Sequence, residues 1–479
     1  MMAVSSAQIL KHVPVVVVLG ATGTGKSKLA LNIASRFSAE IISADSMQVY
    51  KGLDIITNKV TQEEQAECIH HMIGYIDPLH QTHKVTNFRD KALPIIDSIL
   101  SRNKLPIIVG GTNYYIEALL WKFLVDKQKA SPPRTRDRSP LTTRSSPMGN
   151  SASSSANSPR QPSEETSEHG RNFDGERDDT NSSTDFASLD NEALHRELER
   201  VDPVTALRLH PADRRKVVRA LEVYHQNGQP LSEILSKQHE DTGASAISGP
   251  LRYDNTCIFW VQCDQKVLEE RLDARVDDMI RRGLVKELLD FHEAYNRPRV
   301  ADNKVADYTL GIFQSIGFKE FHDYLILPEE ERGTAHAQKL LQQGIDQLKL
   351  VTRQYARKQR KWIRNRFLRR PGSSVPPVYG VDSTNPENWE IDALKPALEI
   401  LSAIVKGETP SIQPLPCEAP RDEPEHHICD ICGGRIFVSK LAWEAHLNGK
   451  KHKNLLRKKR QLERQQAEDA IQKGNTEAS

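Results

Sequence analysis

The fold of this chain is decided by residues 13–37, VPVVVVLGATGTGKSKLALNIASRF. Its β-branched run predicts a buried parallel strand that ends in glycine, and the apolar spacing after the loop predicts a helix. The loop between them fits the pattern G-x-x-x-x-G-K-[ST], with its fixed positions at Gly20, Gly25, Lys26 and Ser27. The glycines let backbone N–H groups turn toward phosphate oxygens, so this context predicts a phosphate site over a ligand-free turn.

The last two residues of the loop have the chemistry that a phosphate site needs. Lys26 supplies a point charge, the hydroxyl of Ser27 can ligate Mg²⁺, and the helix N-terminus adds a favourable partial charge. The pattern alone is typical of a nucleotide kinase or an ATPase. The run LPIIVGG at 105–111 weakens that interpretation, because it ends in glycines where an ATPase often carries an Mg²⁺-directing aspartate.

Three further runs predict strands, at 39–45, 105–111 and 255–264, and helical patterns separate them. Strands that alternate with helices form parallel sheets covered by those helices. The predicted fold class is α/β: a P-loop parallel-sheet core with helices on both faces, an inserted helical subdomain and a C-terminal Cys2His2 zinc finger.

Composition divides the 479-residue chain into folded and unfolded parts. Hydrophobic residues make up 38% of it, and from about Lys129 to Asp185 there is little to bury, which predicts disorder. The predicted units are the first part of the core (1–125), the inserted helical subdomain (126–235) with its disordered segment at about 129–185, the second part of the core with a basic helix (236–372), a linker (373–425), the zinc finger (426–460) and a disordered basic tail (461–479).

Charge and cysteine content exclude several classes of protein. The net charge is +2 and no apolar run reaches membrane-spanning length, so we expect no membrane partner. Nothing in the sequence indicates the oligomeric state, and a monomer is the default expectation. Six cysteines without regular spacing argue against a secreted disulfide scaffold and for a reducing compartment. The N-terminus has no signal-peptide layout; it leaves the cytoplasm and the mitochondrion open, and basic runs near the C-terminus permit nuclear entry.

Asp45 closes the predicted strand AEIISAD at 39–45. Ligands of open parallel sheets bind outside the carboxyl ends of the strands. The carboxylate is therefore a candidate to act on a substrate proton. A helix N-cap and a metal-shell residue are the alternatives.

The stretch RQYARKQRKWIRNRFLRR, residues 353–370, predicts a strongly basic helix. Nine of its 18 residues are Lys or Arg and none is acidic. Because no residue within the helix neutralises this charge, we expect a polyanion as its ligand. The interleaved aromatic residues favour RNA over the alternative, a solvated charged face.

Two smaller sets of cations are ambiguous. A basic patch on a predicted helix faces either nucleic acid or local acids; it consists of Arg214, Arg215, Lys216 and Arg219.

Arg271 and Arg275 lie four residues apart, on one helical face. Two guanidinium groups so placed can clamp a diphosphate. Spacing alone favours the alternative, pairing with nearby acids at Asp273, Asp277 or Asp278.

The C-terminal region contains zinc-ligand spacing. Two residues lie between Cys429 and Cys432, thirteen between Cys432 and His446, and five between His446 and His452. Four ligands in this register predict a structural Cys2His2 zinc site, which scattered cysteines and histidines would not give. The lysines around the last ligand favour contact with nucleic acid.

Several stretches together resemble one family. They are GATGTGKS, SADSMQVYKGLDIITNK, HHMI, VGGTNYYIEALL, HPADRRKVVRALEVY, IFQSIGFKEF and TRQYARKQRKWIRNRF. In this order they resemble the tRNA dimethylallyltransferases (tRNA isopentenyltransferases), from about Val15 to Arg370. The zinc finger is similar to the C-terminal extension of the eukaryotic members, and the Ser/Pro segment departs from the usual pattern.

The resemblance implies transfer of a dimethylallyl group from dimethylallyl diphosphate to N6 of the adenosine directly 3′ of the anticodon in tRNA. It assigns the loop to the diphosphate of the donor, although the backbone geometry of such a loop does not distinguish this ligand from a nucleotide. The implied diphosphate-binding residues are Gly20, Ala21, Thr22, Gly23, Thr24, Gly25, Lys26 and Ser27. The implied metals are Mg²⁺ at Ser27 and structural Zn²⁺ at the finger.

The resemblance also implies roles in catalysis. Asp45 matches the general base, and Thr22 matches a residue that touches both substrates. Arg275 matches a position that contacts the diphosphate, which favours a ligand role over an ion pair. Lys26 would neutralise the leaving group.

The implied partner is the anticodon stem-loop, whose target base must be extruded from its stack. The tRNA-binding residues implied by matching positions are Asp45, Ser46, Met47, Gln48, Thr112, Gln314 and Lys319. The basic regions add Arg214, Arg215, Lys216, Arg219, Arg353, Arg357, Lys358 and Arg360.

Three other functions compete with this interpretation. An adenylate isopentenyltransferase would act on free nucleotides and needs neither the basic helix nor the zinc finger. An RNA-binding P-loop ATPase would hydrolyse ATP without prenyl transfer. A non-enzymatic zinc-finger protein would leave Lys26, Ser27 and Asp45 without a purpose.

Overall fold

The structure is a computed structural model that describes residues 13–80, 83–122, 186, 188–242, 250–297, 308–369, 375–418 and 425–477. The segment at about 129–185, which the composition predicts to be disordered, lies outside the described residues.

Six parallel strands form the central sheet, in the order β3-β2-β4-β1-β5-β6. The strands are β1 (Val15–Gly20), β2 (Ala39–Ser43), β3 (His70–His71), β4 (Leu105–Val109), β5 (Thr256–Gln262) and β6 (Val378–Asp382). β1 lies between β4 and β5, with Val16 opposite both Ile107 and Cys257. The carboxyl ends of all six strands therefore meet at one edge, where the phosphate loop follows β1.

Fifteen α-helices are present in the described part of the chain. They are α1 (Lys26–Ala34), α2 (Gln62–Glu67), α3 (Val85–Ser101), α4 (Asn113–Leu120), α5 (Asn191–Val201), α6 (Pro203–Arg208), α7 (Arg214–Asn227), α8 (Leu231–Thr242), α9 (Gln265–Arg281), α10 (Leu284–Phe291), α11 (His322–Leu325), α12 (Ala335–Ile363), α13 (Lys395–Lys406), α14 (Lys440–Leu447) and α15 (Lys450–Glu477). A π-helical turn, Arg364–Leu368, extends α12. No helix among the described residues is long and apolar enough to cross a membrane.

Both faces of the sheet are covered, as the apolar strands predict. On one face, Val17 and Leu19 belong to a core that includes side chains of α3, α4 and α10. On the other face, Val16 and Val18 share a second core with α1 and α13. Strands buried on both sides read as continuous apolar runs, which is why β1 is legible in the sequence.

The inserted helices form a unit with its own core. Leu194 and Leu198 of α5 pack with Val217 and Leu221 of α7. This third core shares no residue with the two cores of the sheet. The predicted helical subdomain is present, and its last helix ends at Thr242.

The predicted linker at 373–425 is wrong for much of its length. β6 pairs with β5 from Val378 to Asp382, and α13 buries Ile400 and Leu401 against the sheet. A five-residue edge strand beside Pro376 and Pro377 carries little local signal, because β5 supplies its stability.

The predicted disordered tail at 461–479 is also wrong as far as Glu477, where α15 ends. Lys, Arg, Gln, Glu and Ala dominate this stretch, and all of them are good helix formers.

Candidate active site

The phosphate loop folds tightly at the end of β1. Gly23 and Gly25 have φ angles of 83° and 88°, values that residues other than glycine rarely adopt. The hydroxyl of Thr24 and the ammonium of Lys26 each donate a hydrogen bond to the carbonyl oxygen of Ala21, both at 2.9 Å. α1 begins at Lys26 without a side-chain cap and without an acidic residue in its first turn, so its first N–H groups suit an anion.

A cavity of about 220 Å³ opens over this loop, and we call it the loop cavity. Of the predicted diphosphate-binding residues, those that line it are Thr22, Gly23, Gly25, Lys26 and Ser27. The other three form the support beneath: they are Gly20, Ala21 and Thr24. A Cβ at Gly20 would lie 2.6 Å from Oγ1 of Thr24, so the loop also needs glycine for packing.

Arg275 of α9 lines the loop cavity together with Lys26, and its positive charge helps to lower the pKa of Lys26. Its buried Nε has no hydrogen-bond partner among the described residues. Burial lowers the pKa of the guanidinium to about 10. A buried N–H of a cation without an acceptor is costly, so the arrangement suits an anionic ligand.

The acids near Arg275 are engaged elsewhere, which makes the ion-pair expectation for Arg271 and Arg275 wrong in the described structure. Asp273 pairs with Arg353 at 2.6 Å, Asp277 with Lys349 at 2.6 Å, and Asp278 with Arg281 at 3.2 Å. The tertiary neighbours from α12 that take the first two acids are invisible to spacing along α9.

Arg271 does not join a clamp with Arg275. Its guanidinium donates two hydrogen bonds of 2.7 Å to the carbonyl oxygens of Ser383 and Thr384, just after β6. It therefore ties α9 to the edge strand.

Asp45 follows β2 and also lines the loop cavity. Its carboxylate accepts a hydrogen bond from the backbone N–H of Met47 at 2.9 Å, and the backbone amides of Gln48 and Gly111 also favour its charged form. Burial raises the pKa of Asp45, while these bonds and the charge of Lys26 oppose the rise. The bond to Met47 is a local turn-capping contact, yet the carboxyl group still has the raised basicity that a general base needs.

A second cavity, of about 390 Å³, adjoins the first, and we call it the outer cavity. The residues that line both are Thr22, Asp45, Thr57, Asn58, Arg275 and Tyr355. The predicted RNA-contacting residues that line the outer cavity are Ser46, Met47, Gln314, Lys319 and Lys358. Two ligands, one bound in each cavity, would therefore meet at Asp45.

Two further predicted RNA-contacting residues, Gln48 and Thr112, do not line the outer cavity. Gln48 lines the loop cavity, and its amide donates to the carbonyl oxygens of Thr57 and Asn58 at 3.1 and 2.9 Å. Thr112 lines neither cavity; its hydroxyl accepts from the backbone N–H of Ser46 at 2.9 Å. Both residues hold the loop that carries Asp45.

The basic helix α12 is less free than its sequence predicts. Arg353 pairs with Asp273 and Arg357 with Glu269, both at 2.6 Å, and Arg360 bonds to Gln265. Beyond the end of α12, Arg364 and Arg369 share Glu418, and Arg366 pairs with the buried Glu117. The stretch 353–370 has no acid of its own, but other elements supply several.

Most cations of the basic patch on α7 also have partners within the protein. Lys216 pairs with Asp213 at 2.7 Å and Arg219 with Glu222 at 3.2 Å. Arg214 donates to the backbone carbonyl oxygens of two residues before α5. Arg215 is exposed, so it is the member of the patch best placed for an RNA phosphate.

The zinc ligands come together at the finger, where β7 (His427–Cys429) and β8 (Arg435–Phe437) pair antiparallel. The ligand atoms of Cys429, Cys432, His446 and His452 all lie within 4.8 Å of one another. Nε2 of His446 is buried and has no hydrogen-bond partner in the described part of the chain, as expected of a metal ligand. The set fits tetrahedral Cys2His2 zinc.

The finger contacts the inserted helical subdomain. Nε2 of His210 lies 3.2 Å from the carbonyl oxygen of Ile436. The rings of His195 and His426 stack with centroids 6.1 Å apart. The two predicted RNA-binding units therefore lie side by side.

The sequence reasoning missed two polar residues of α12. Tyr355 lines both cavities, and Gln359 lines the loop cavity with 4% exposure. Their spacing of four residues on a basic helix was the available signal, since two uncharged polar residues share one face.

Models of known protein families match most of the chain. A family model described as IPP transferase matches residues 48–157 and 161–366. One described as isopentenyl transferase matches residues 13–70. A zinc-finger double-stranded RNA-binding model matches residues 426–453.

Individual proteins of the same description are similar to this chain over most of its length. The chain is 45% identical to a human tRNA dimethylallyltransferase, over 95% of this chain and 88% of the human protein. It is 31% identical to that of Geobacillus thermodenitrificans, over 79% and 93% of the two chains. A solved eukaryotic dimethylallyltransferase acting on tRNA matches with a TM-score of 0.71 and 28% identity, covering 95% of this chain and 99% of that one.

Proposed function

The chain belongs to the tRNA dimethylallyltransferase family, and on that premise we propose that it transfers a dimethylallyl group from dimethylallyl diphosphate to N6 of the adenosine directly 3′ of the anticodon. The observation that carries the proposal is the position of Asp45, where the loop cavity adjoins the outer cavity. A donor over the phosphate loop and a base extruded into the outer cavity would meet at this carboxylate.

The donor's diphosphate binds the phosphate loop, Lys26 and Arg275. Nε of Arg275 is buried and meets no acceptor within the described ranges, and an anionic oxygen would satisfy it. As the bond between C1 of the prenyl group and the diphosphate oxygen breaks, these cations stabilise the growing negative charge. The exposed hydroxyl of Ser27 is suited to hold Mg²⁺, which would supply further charge neutralisation.

The acceptor adenine enters the outer cavity. N6 attacks C1 on the side away from the diphosphate, the N–C bond forms, and the N6 proton passes to Asp45. Burial raises the pKa of Asp45, which suits a base at neutral pH. Because an exocyclic amine is a weak nucleophile, orientation by the cavity walls supplies much of the rate.

The tRNA lies across α12, the inserted subdomain and the finger. The contact between His210 and Ile436 supports joint binding by the last two units. We propose the anticodon stem-loop and dimethylallyl diphosphate as partners of a monomer. The cytoplasm and the mitochondrion are the proposed compartments, with nuclear entry as an alternative.

The test uses labelled dimethylallyl diphosphate, Mg²⁺ and an anticodon stem-loop, followed by nucleoside analysis. We expect dimethylallyladenosine at the position 3′ of the anticodon, and no product from a matched loop that carries inosine there, because inosine lacks the amine. Equal turnover of free AMP, or RNA-stimulated ATP hydrolysis without prenyl transfer, would overturn the proposal.

A further inference from the structure

Gln359 of α12 joins two loops that carry the chemistry. It is 4% exposed. Its Oε1 accepts a hydrogen bond of 2.8 Å from the backbone N–H of Thr22, and its Nε2 donates one of 2.9 Å to the carbonyl oxygen of Gly111. These partners are 337 and 248 residues away in sequence. A single amide thus ties the phosphate loop to the segment after β4.

Both partners of this amide bear on reacting groups. Thr22 lines the two cavities at their junction. The backbone amide of Gly111 favours the charged form of the Asp45 carboxylate and so lowers its pKa. A Cβ at Gly111 would lie 2.6 Å from Nε2 of Gln359 and 3.3 Å from Oδ2 of Asp45, so amide, glycine and carboxylate are in close contact. A shift of the amide would therefore move both the loop and the base.

An amide of this length has both the acceptor and the donor that the two loops need. A carboxylate has no proton for Gly111, and an ammonium cannot accept from Thr22. A hydrophobic side chain of the same size would fill the space but leave the N–H of Thr22 without this acceptor, and the carbonyl oxygen of Gly111 with only the 3.4 Å bond from the hydroxyl of Tyr355. The adjacent Lys358 lines the outer cavity, so the same helical turn faces the acceptor.

We propose that Gln359 is a positioning residue of the transfer reaction, which holds the diphosphate loop in register with the general base Asp45. The inference rests on the proposed function. It predicts that loss of the amide slows the chemical step, since a displacement of about 1 Å at a reacting group can reduce rates 100-fold. It leaves the affinity for tRNA nearly unchanged, because the amide faces inward.

The experiment measures single-turnover transfer at saturating dimethylallyl diphosphate and stem-loop. For Gln359→Met we expect a rate about 30-fold lower, with the stem-loop Kd within twofold of wild type. The matched control is Gln343→Met, the same change at an exposed position of α12, which should keep the wild-type rate.

A second variant separates positioning from folding. Gln359→Glu keeps the acceptor for Thr22 but places a carboxylate near Asp45, and like charges raise a carboxyl pKa. We expect the acid limb of its pH–rate profile to move to higher pH, which a packing defect alone would not cause.

Three outcomes would overturn the inference: a Gln359→Met rate equal to wild type, a loss confined to stem-loop affinity, or a lowered Tm with an unchanged rate at saturation. An inactive wild-type enzyme would instead contradict the proposed function. The two failures are therefore distinguishable.

Discussion

The cations of the loop cavity and those of α12 surround the same sheet edge but differ in what neutralises them. Nε of Arg275 is buried with no partner among the described residues, and Lys26 donates only to the carbonyl oxygen of Ala21. Arg353 and Arg357, by contrast, already pair with carboxylates of α9. A dense run of positive charge in a sequence therefore says less about ligands than one buried cation without a carboxylate does.

The largest effect is expected from replacing Asp45, which lines both the loop cavity and the outer cavity. We expect Asp45→Ala to lower single-turnover transfer about 10³-fold, within the range for a lost general base. Stem-loop affinity should stay within threefold, because the outer surface is intact. Asp54→Ala, which removes an exposed partner of Lys59, is the control and should transfer normally. Unchanged transfer by Asp45→Ala would remove Asp45 from the mechanism.

The next effect compares a buried with a paired arginine on α9. Arg275→Gln should weaken donor binding about 10–100-fold, the loss of a strong charge-assisted contact. Tm should be unchanged or higher, because an unpaired buried charge is removed. Arg281→Gln, whose side chain is 73% exposed and pairs with Asp278, should change neither. Calorimetry with dimethylallyl diphosphate measures the affinity; equal losses in both variants would contradict the comparison.

A pH series sharpens the account of Lys26. Burial, with Arg275 nearby and Asp45 opposing, lowers the pKa of Lys26 from 10.5 to about 8 in the unliganded protein. The ammonium therefore loses its proton as the pH rises through 8, and donor binding must take a proton up. Donor affinity should fall about tenfold per pH unit above 8. Lys26→Arg stays charged, so its affinity should be flat there; a flat wild-type profile would refute this account.

The smallest effect lies on α12. Lys358 lines the outer cavity, whereas the neighbouring Arg357 pairs with Glu269. Lys358→Ala should weaken stem-loop binding a few-fold and reduce the salt slope by about 1, as expected for one lost phosphate contact. Arg357→Ala should do less on both measures. Titrations at several salt concentrations distinguish them, and the reverse order would show that the ion pair opens on RNA binding.

Local sequence predicted the elements whose determinants lie close together. β1, the loop and α1 follow one another within residues 15–34, and the four zinc ligands lie within 24 residues of chain. The helix α13 had apolar spacing at Ile400 and Leu401 that the prediction of a linker overlooked. β6 was beyond such reasoning, since a five-residue strand is stabilised by its neighbour.

By itself, the sequence determined the glycine loop, the helices of the core and of the inserted subdomain, the zinc register and the family, because backbone propensity, burial periodicity and ligand spacing act over a few residues. The tertiary structure alone decided which charges remain available. Asp273 pairs with Arg353, 80 residues away, and that pairing leaves Arg275 without a carboxylate partner in the described part of the chain. The partners of a buried cation or amide come from distant segments, so only the packed fold shows whether a ligand is still required.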